Sequence, residues 1–69
     1  MRLTKRKPKV VMHLDGGSDG VTIDGVLLYR ASGHYVLGAA SLVVDADTSR
    51  PLGETKVPCS RVLFYQVTT

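Results

Sequence analysis

Apolar and polar positions alternate along much of this chain with a period of two, and no window of about 11 residues carries a helical period with caps. In the stretch 9–14, Val10, Met12 and Leu14 fall on one side, and Val11 and His13 on the other. That pattern predicts a first strand. Pro8 suits its entrance, where no ladder N–H is required. Residues 21–30 predict a second strand. Val21, Ile23, Leu27 and Tyr29 share one face, and Thr22, Asp24, Val26, Leu28 and Arg30 share the other. Gly25 interrupts this strand, and a glycine in mid-strand marks a bend or bulge of the kind a small barrel needs. Beyond Gly25 both faces turn apolar, as expected where a curved strand serves two sheets.

Ala31-Ser32-Gly33-His34 predicts a hairpin turn with Gly33 in the left-handed region. Residues 35–44 predict a third strand. Its Gly38-Ala39-Ala40 segment is small enough for a neighbouring strand or subunit to approach closely. Residues 45–55 read as a polar loop, 56–58 as a short fourth strand, 59–61 as one turn of 3₁₀ helix, and 62–67 as the last strand. The run 15–20, Asp-Gly-Gly-Ser-Asp-Gly, is the clearest loop in the chain. Five short strands between turn signals predict an all-β fold. The expected architecture is a small five-stranded SH3-like or Sm-like barrel, closed or partly closed, since closure removes sheet edges.

The length of 69 residues allows one small core and marginal stability alone, so support from assembly is expected. Cys59 is the single cysteine, which excludes an intrachain disulfide and suits a reducing compartment. No apolar run approaches the roughly 18 residues of a membrane span. The basic start is followed by Pro8 and Lys9 rather than an apolar leader segment.

Charge is unevenly placed. Of nine basic residues, five (Arg2, Lys5, Arg6, Lys7 and Lys9) lie in the first ten positions, and the remainder of the chain carries four basic against six acidic residues. Residues 1–8 therefore read as a flexible basic arm and 9–69 as a slightly acidic barrel domain. Such an arm suits an anionic partner, either nucleic acid or an acidic protein surface.

Candidate chemistry thins out on inspection. His13 has Asp15 near it in sequence, but no nucleophile in a matching context. Ser18 and Ser32 sit in glycine turns, where serine is an ordinary turn former. Asp15, Asp19, Asp45 and Asp47 lack the spacing of a calcium loop, and the glycine cluster lacks the lysine and following helix of a phosphate loop. Neither a catalytic nor a cofactor or metal site is expected, and the chain reads as a non-enzyme. His34 and Tyr35 at the turn, and Phe64 and Tyr65 on the closing strand, are the candidate protein contacts. Adjacent strand residues face opposite sides, so one of Phe64 and Tyr65 must point outward.

Two resemblances add to this. Residues 23–29 with 35–40 resemble the first Sm motif, in which a glycine bends the second strand and a short turn precedes an apolar third strand. The RNA-contacting Asp and Asn of that family have no counterpart in Ser32-Gly33-His34-Tyr35, and the strand 9–14 stands where the family has an N-terminal helix. The segment 57–62 is similar to the strand–3₁₀–strand passage that ends SH3-like barrels. Separately, Asp24-Gly25-Val26-Leu27-Leu28, Gly33-His34-Tyr35-Val36-Leu37 and residues 61–67 resemble short proteins of tailed phages of high-GC Gram-positive bacteria. That resemblance implies a structural or accessory subunit of a phage particle, a capsid decoration or head–tail protein. Such a subunit would contact copies of itself or a capsid or connector protein, in the virion or host cytoplasm. The alternative is an Sm-like or SH3-like nucleic-acid-binding module that uses the basic arm.

Overall fold

The computed structural model describes residues 7–16 and 20–68, and these form five antiparallel strands in one sheet. The strands are β1 (Lys9–Leu14), β2 (Val21–Ala31), β3 (His34–Asp45), β4 (Thr48–Pro58) and β5 (Val62–Val67), with a 3₁₀ turn at Cys59–Arg61 between the last two. The order across the sheet is β4-β3-β2-β1-β5. The sheet curls around its core without closing, so β4 and β5 are both left as edges.

The alternation in β1 is realised as expected. Val10, Met12 and Leu14 are buried and join Ile23, Leu37, Ala40 and Val57 in one core. Val21, Leu27, Tyr35, Leu42 and Val62 pack around its margin. Met12, Leu37, Val10 and Val57 are the largest fully enclosed side chains. Each such side chain contributes roughly 1.5–3 kcal/mol of transfer free energy, which in a domain this small is a large share of net stability.

Gly25 sits where β2 and β3 come closest. A Cβ there would lie 3.1 Å from the Cα of Ala40 and 3.1 Å from the carbonyl oxygen of Gly38. Opposite it, β3 carries an extra residue, Ala39, at φ 48°. A second slip follows between Leu27 and Tyr29, this time with the extra residue, Leu28, on β2. The two slips cancel, so the strands enter the turn in the register they held before either. The turn itself is a two-residue loop with Ser32 at φ 54° and Gly33 at φ 75°, the two positive values of a type I′ hairpin.

Two expectations need correction. First, residues 45–55 are not a polar loop. β3 runs to Asp45, the chain reverses at Ala46-Asp47, and β4 begins at Thr48. The Asp47 N–H donates to Asp45 Oδ1 at 2.9 Å, which stabilises that reversal locally. β4 has no buried residue before Val57, so no apolar alternation betrays it. Pro51 is compatible with β4 because β4 is an edge. Second, Tyr29 does not share a face with Val21, Ile23 and Leu27. The slip at Leu28 turns it outward, pairs it with Val36, and sets the exposed Arg30 opposite Tyr35.

Candidate functional site

The features that bear on function lie at the sheet edges and on the outer face. β5 pairs with β1 on one side only. Thr68 N–H donates to the Lys9 carbonyl at 2.8 Å. Antiparallel pairs alternate between bonded and non-bonded positions, so the peptide groups of Tyr65 and Val67 face away from β1 toward the free edge. The side chains there are apolar and uncovered: Leu63 is 66% exposed, Phe64 55% and Val67 59%. At the other end of the sheet, β4 presents its own open edge with Leu52 exposed. A long exposed edge is a template for pairing with another chain, and apolar surface concentrated on one marks a contact surface.

The four predicted contact residues do not form one patch. Tyr35 and Tyr65 meet inside the rim, edge to face, with ring centroids 5.7 Å apart. Arg30 adds a guanidinium 5.8 Å from the Tyr35 ring centre. Phe64 is the outward member of its pair. It stacks on His13 of β1 with centroids 4.5 Å apart, and His13 Nε2 lies 3.3 Å from Gln66 Oε1. This engagement of His13 offers no nucleophile. His34 lies at the β2–β3 turn, and its Nδ1 donates to the Ser32 carbonyl at 2.9 Å.

The 3₁₀ turn is tied down at both ends, by Cys59 N–H to the Gly33 carbonyl and by Asp15 N–H to the Arg61 carbonyl, each 2.8 Å. It thereby carries the chain from one sheet edge to the other. Cys59 is half-buried within it. Of the predicted basic arm, Arg2, Lys5 and Arg6 lie outside the described residues, as do Ser18 and Asp19. Lys7 and Lys9 are described and exposed. Lys7 Nζ donates to the Leu28 carbonyl at 3.1 Å, and the Pro8 carbonyl accepts from Leu27 N–H at 2.8 Å. The arm is therefore already joined to β2 at residues 7 and 8. Among the described residues, no three His, Cys, Asp or Glu side chains are grouped to hold a metal, and no helix is long and apolar enough to cross a membrane.

Two of the clefts on the outer face border candidate residues. One, about 290 Å³, runs beside Gly25 between Lys9, Val11, Asp24 and Val26. The other, about 270 Å³, lies beside the hairpin turn and is lined by Tyr29, His34, Val36 and Lys56, with Ala31 and Ser32. Sequence reasoning missed the second, because it depends on Tyr29 facing outward and on Lys56 belonging to a long β4.

No protein-family model and no curated protein matches the chain. Solved structures do. A heptameric archaeal Sm protein superposes with a TM-score of 0.76 at 22% identity, over 91% of this chain and 88% of that one. The P. aerophilum SmAP1 heptamer gives the same TM-score and identity over 91% of this chain and 81% of its own. The fold is Sm-like. The Sm-like chain thus carries the second and third strands, the glycine bend and the strand–3₁₀–strand ending that its sequence pattern suggested. Both neighbours are archaeal Sm proteins, which leaves the phage resemblance where the sequence put it.

Proposed function

We propose that this chain is a non-enzymatic, self-assembling Sm-like subunit that binds nucleic acid through its cationic groups. The observation that carries the assembly is the pair of unpaired edges, β4 and β5, at opposite ends of one curled sheet. Pairing β4 of one copy with β5 of the next would continue the sheet from subunit to subunit and cover Leu63, Phe64 and Val67. Because the two edges differ, the contact is head-to-tail, and a head-to-tail contact with a closing rotation makes a ring. The described neighbours, both heptamers, support that outcome. A proline at position 67 would remove an edge N–H while leaving the β1–β5 ladder bonds in place. In sedimentation velocity, Val67→Pro should give a folded monomer and the parent chain an oligomer. Equal sedimentation of the two would sink the edge-pairing proposal.

Nucleic-acid binding is supported by the fold and by the five basic residues among the first ten. A virion role, with a capsid or connector protein as partner, is a further proposal that rests on the phage resemblance. It would use the same edges.

A further inference from the structure

A proton-binding group stands one strand behind the free β5 edge. His13 of β1 is directly opposite Phe64 in the β1–β5 ladder, on the outer face. Its imidazole lies flat against the Phe64 ring, with centroids 4.5 Å and planes 24° apart. Its Nε2 is 3.3 Å from Gln66 Oε1. That oxygen can only accept, so Nε2 carries the proton of the neutral ring and Nδ1 its lone pair. His13 is half-buried, whereas Phe64 is 55% exposed. A strand added beyond β5 would cover Phe64, and with it the imidazole stacked behind.

The groups facing His13 come from every element around it. On its own strand, Val11 lies two residues back and Lys9 four, and the exposed Asp15 two residues on, joined by its N–H to the Arg61 carbonyl of the 3₁₀ turn. On β2, Thr22 is directly opposite, and the half-buried Asp24 is one pair further, across from Val11. β5 contributes Phe64 and Gln66 and no Asp, Glu, Lys, Arg or His. The β4 of a neighbouring copy would bring Arg50 and Lys56 against one carboxylate, Glu54. Asp15 and Asp24 attract an imidazolium in the free subunit and in the assembly alike. What assembly changes is the water around Phe64 and His13, and β4 brings no net negative charge to replace it.

We propose that His13 makes assembly sensitive to pH: with His13 neutral the β5 edge accepts a neighbouring copy, and with His13 protonated the subunits separate while each stays folded. The proposal rests on the edge-pairing reading above and adds its regulation. In the free subunit a charged imidazole keeps its place, because a cation over an aromatic face is attracted to it and water hydrates the rest. Covering the pair removes that water and disfavours the charged form. The assembled state therefore binds fewer protons than the free one, and assembly strengthens as pH rises. Histidine side chains change charge between about pH 5 and 8, so the response belongs in that range.

The test is sedimentation velocity of the full chain over a concentration series, at fixed ionic strength and at about pH 8, 7, 6 and 5.5. The concentration at which half the chain is assembled should rise at least about fivefold from the highest pH to the lowest, with β-type circular dichroism unchanged. His13→Phe keeps a flat ring on Phe64 without a proton site, and should assemble equally at every pH. His13→Arg keeps a permanent cation stacked there and should assemble weakly throughout. His34→Gln should behave as the parent chain does. A pH dependence that survives in His13→Phe, or that disappears in His34→Gln, would overturn the proposal. Tighter assembly in acid, or unfolding of the parent by about pH 5.5, would do the same. Equal assembly of the parent at every pH would overturn it and leave edge pairing standing. No assembly at any pH would overturn both.

Discussion

Tyr35 of β3 and Tyr65 of β5 meet edge to face, 5.7 Å between centroids and 71° between planes, although their strands share no ladder. The contact spans the open side of the sheet, where hydrogen bonding does not close it. Arg30 extends it through the Tyr35 ring. An aromatic pair of this geometry is worth about 0.5–1.5 kcal/mol beyond area burial. A double-mutant cycle of Tyr35→Leu and Tyr65→Leu, read by urea denaturation at one fixed protein concentration, should return a coupling in that range. Strict additivity would mean that the rings only share a rim.

Gly25 and Ala39 face each other across the first slip between β2 and β3, and they should respond in opposite senses. A valine at position 25 brings its Cβ within 3.1 Å of the Ala40 backbone. Gly25→Val should therefore cost roughly 1–3 kcal/mol. Ala39 holds φ 48° without being glycine. Ala39→Gly should stabilise by about 0.5–1 kcal/mol, relief of strain offset by the greater entropy of glycine in the unfolded chain. Thermal melts would show both, at about 4–8 °C per kcal/mol for a domain of this size.

The basic residues near the start should act on nucleic acid through charge alone. Replacing Lys5, Arg6, Lys7 and Lys9 with alanine should flatten the dependence of log affinity on log salt. The expected change is about 0.7 per phosphate no longer neutralised on a single strand. Removal of residues 1–6 should leave the β-type circular dichroism intact. Removal of 1–8 should lower the melting temperature, because it deletes the Pro8–Leu27 hydrogen bond. An unchanged salt slope would show that the arm does not contact phosphate.

What was legible in the sequence follows burial. β1, with Val10, Met12 and Leu14 enclosed and Val11 and His13 opposite, shows a clean alternation because one face packs on the core and the other does not. Gly33 announces the hairpin because a type I′ turn needs positive φ. β4 was hidden for the opposite reason: most of it buries nothing, so selection for an apolar period is absent until Val57. The face of Tyr29 does not follow from alternation because a one-residue slip at Leu28 inverts every later position on the strand. The outer cleft depends on both errors being corrected. The free edges are a property of topology, and no local pattern encodes them.

Native mass spectrometry of the full chain reads closure through β4 and β5 without intermediary. One discrete oligomer at an integral multiple of the 7.4 kDa subunit is expected, since a ring closes at a fixed number of copies. A monomer at micromolar concentration would contradict it. So would a continuous ladder of sizes, which is the signature of a head-to-tail contact that does not close.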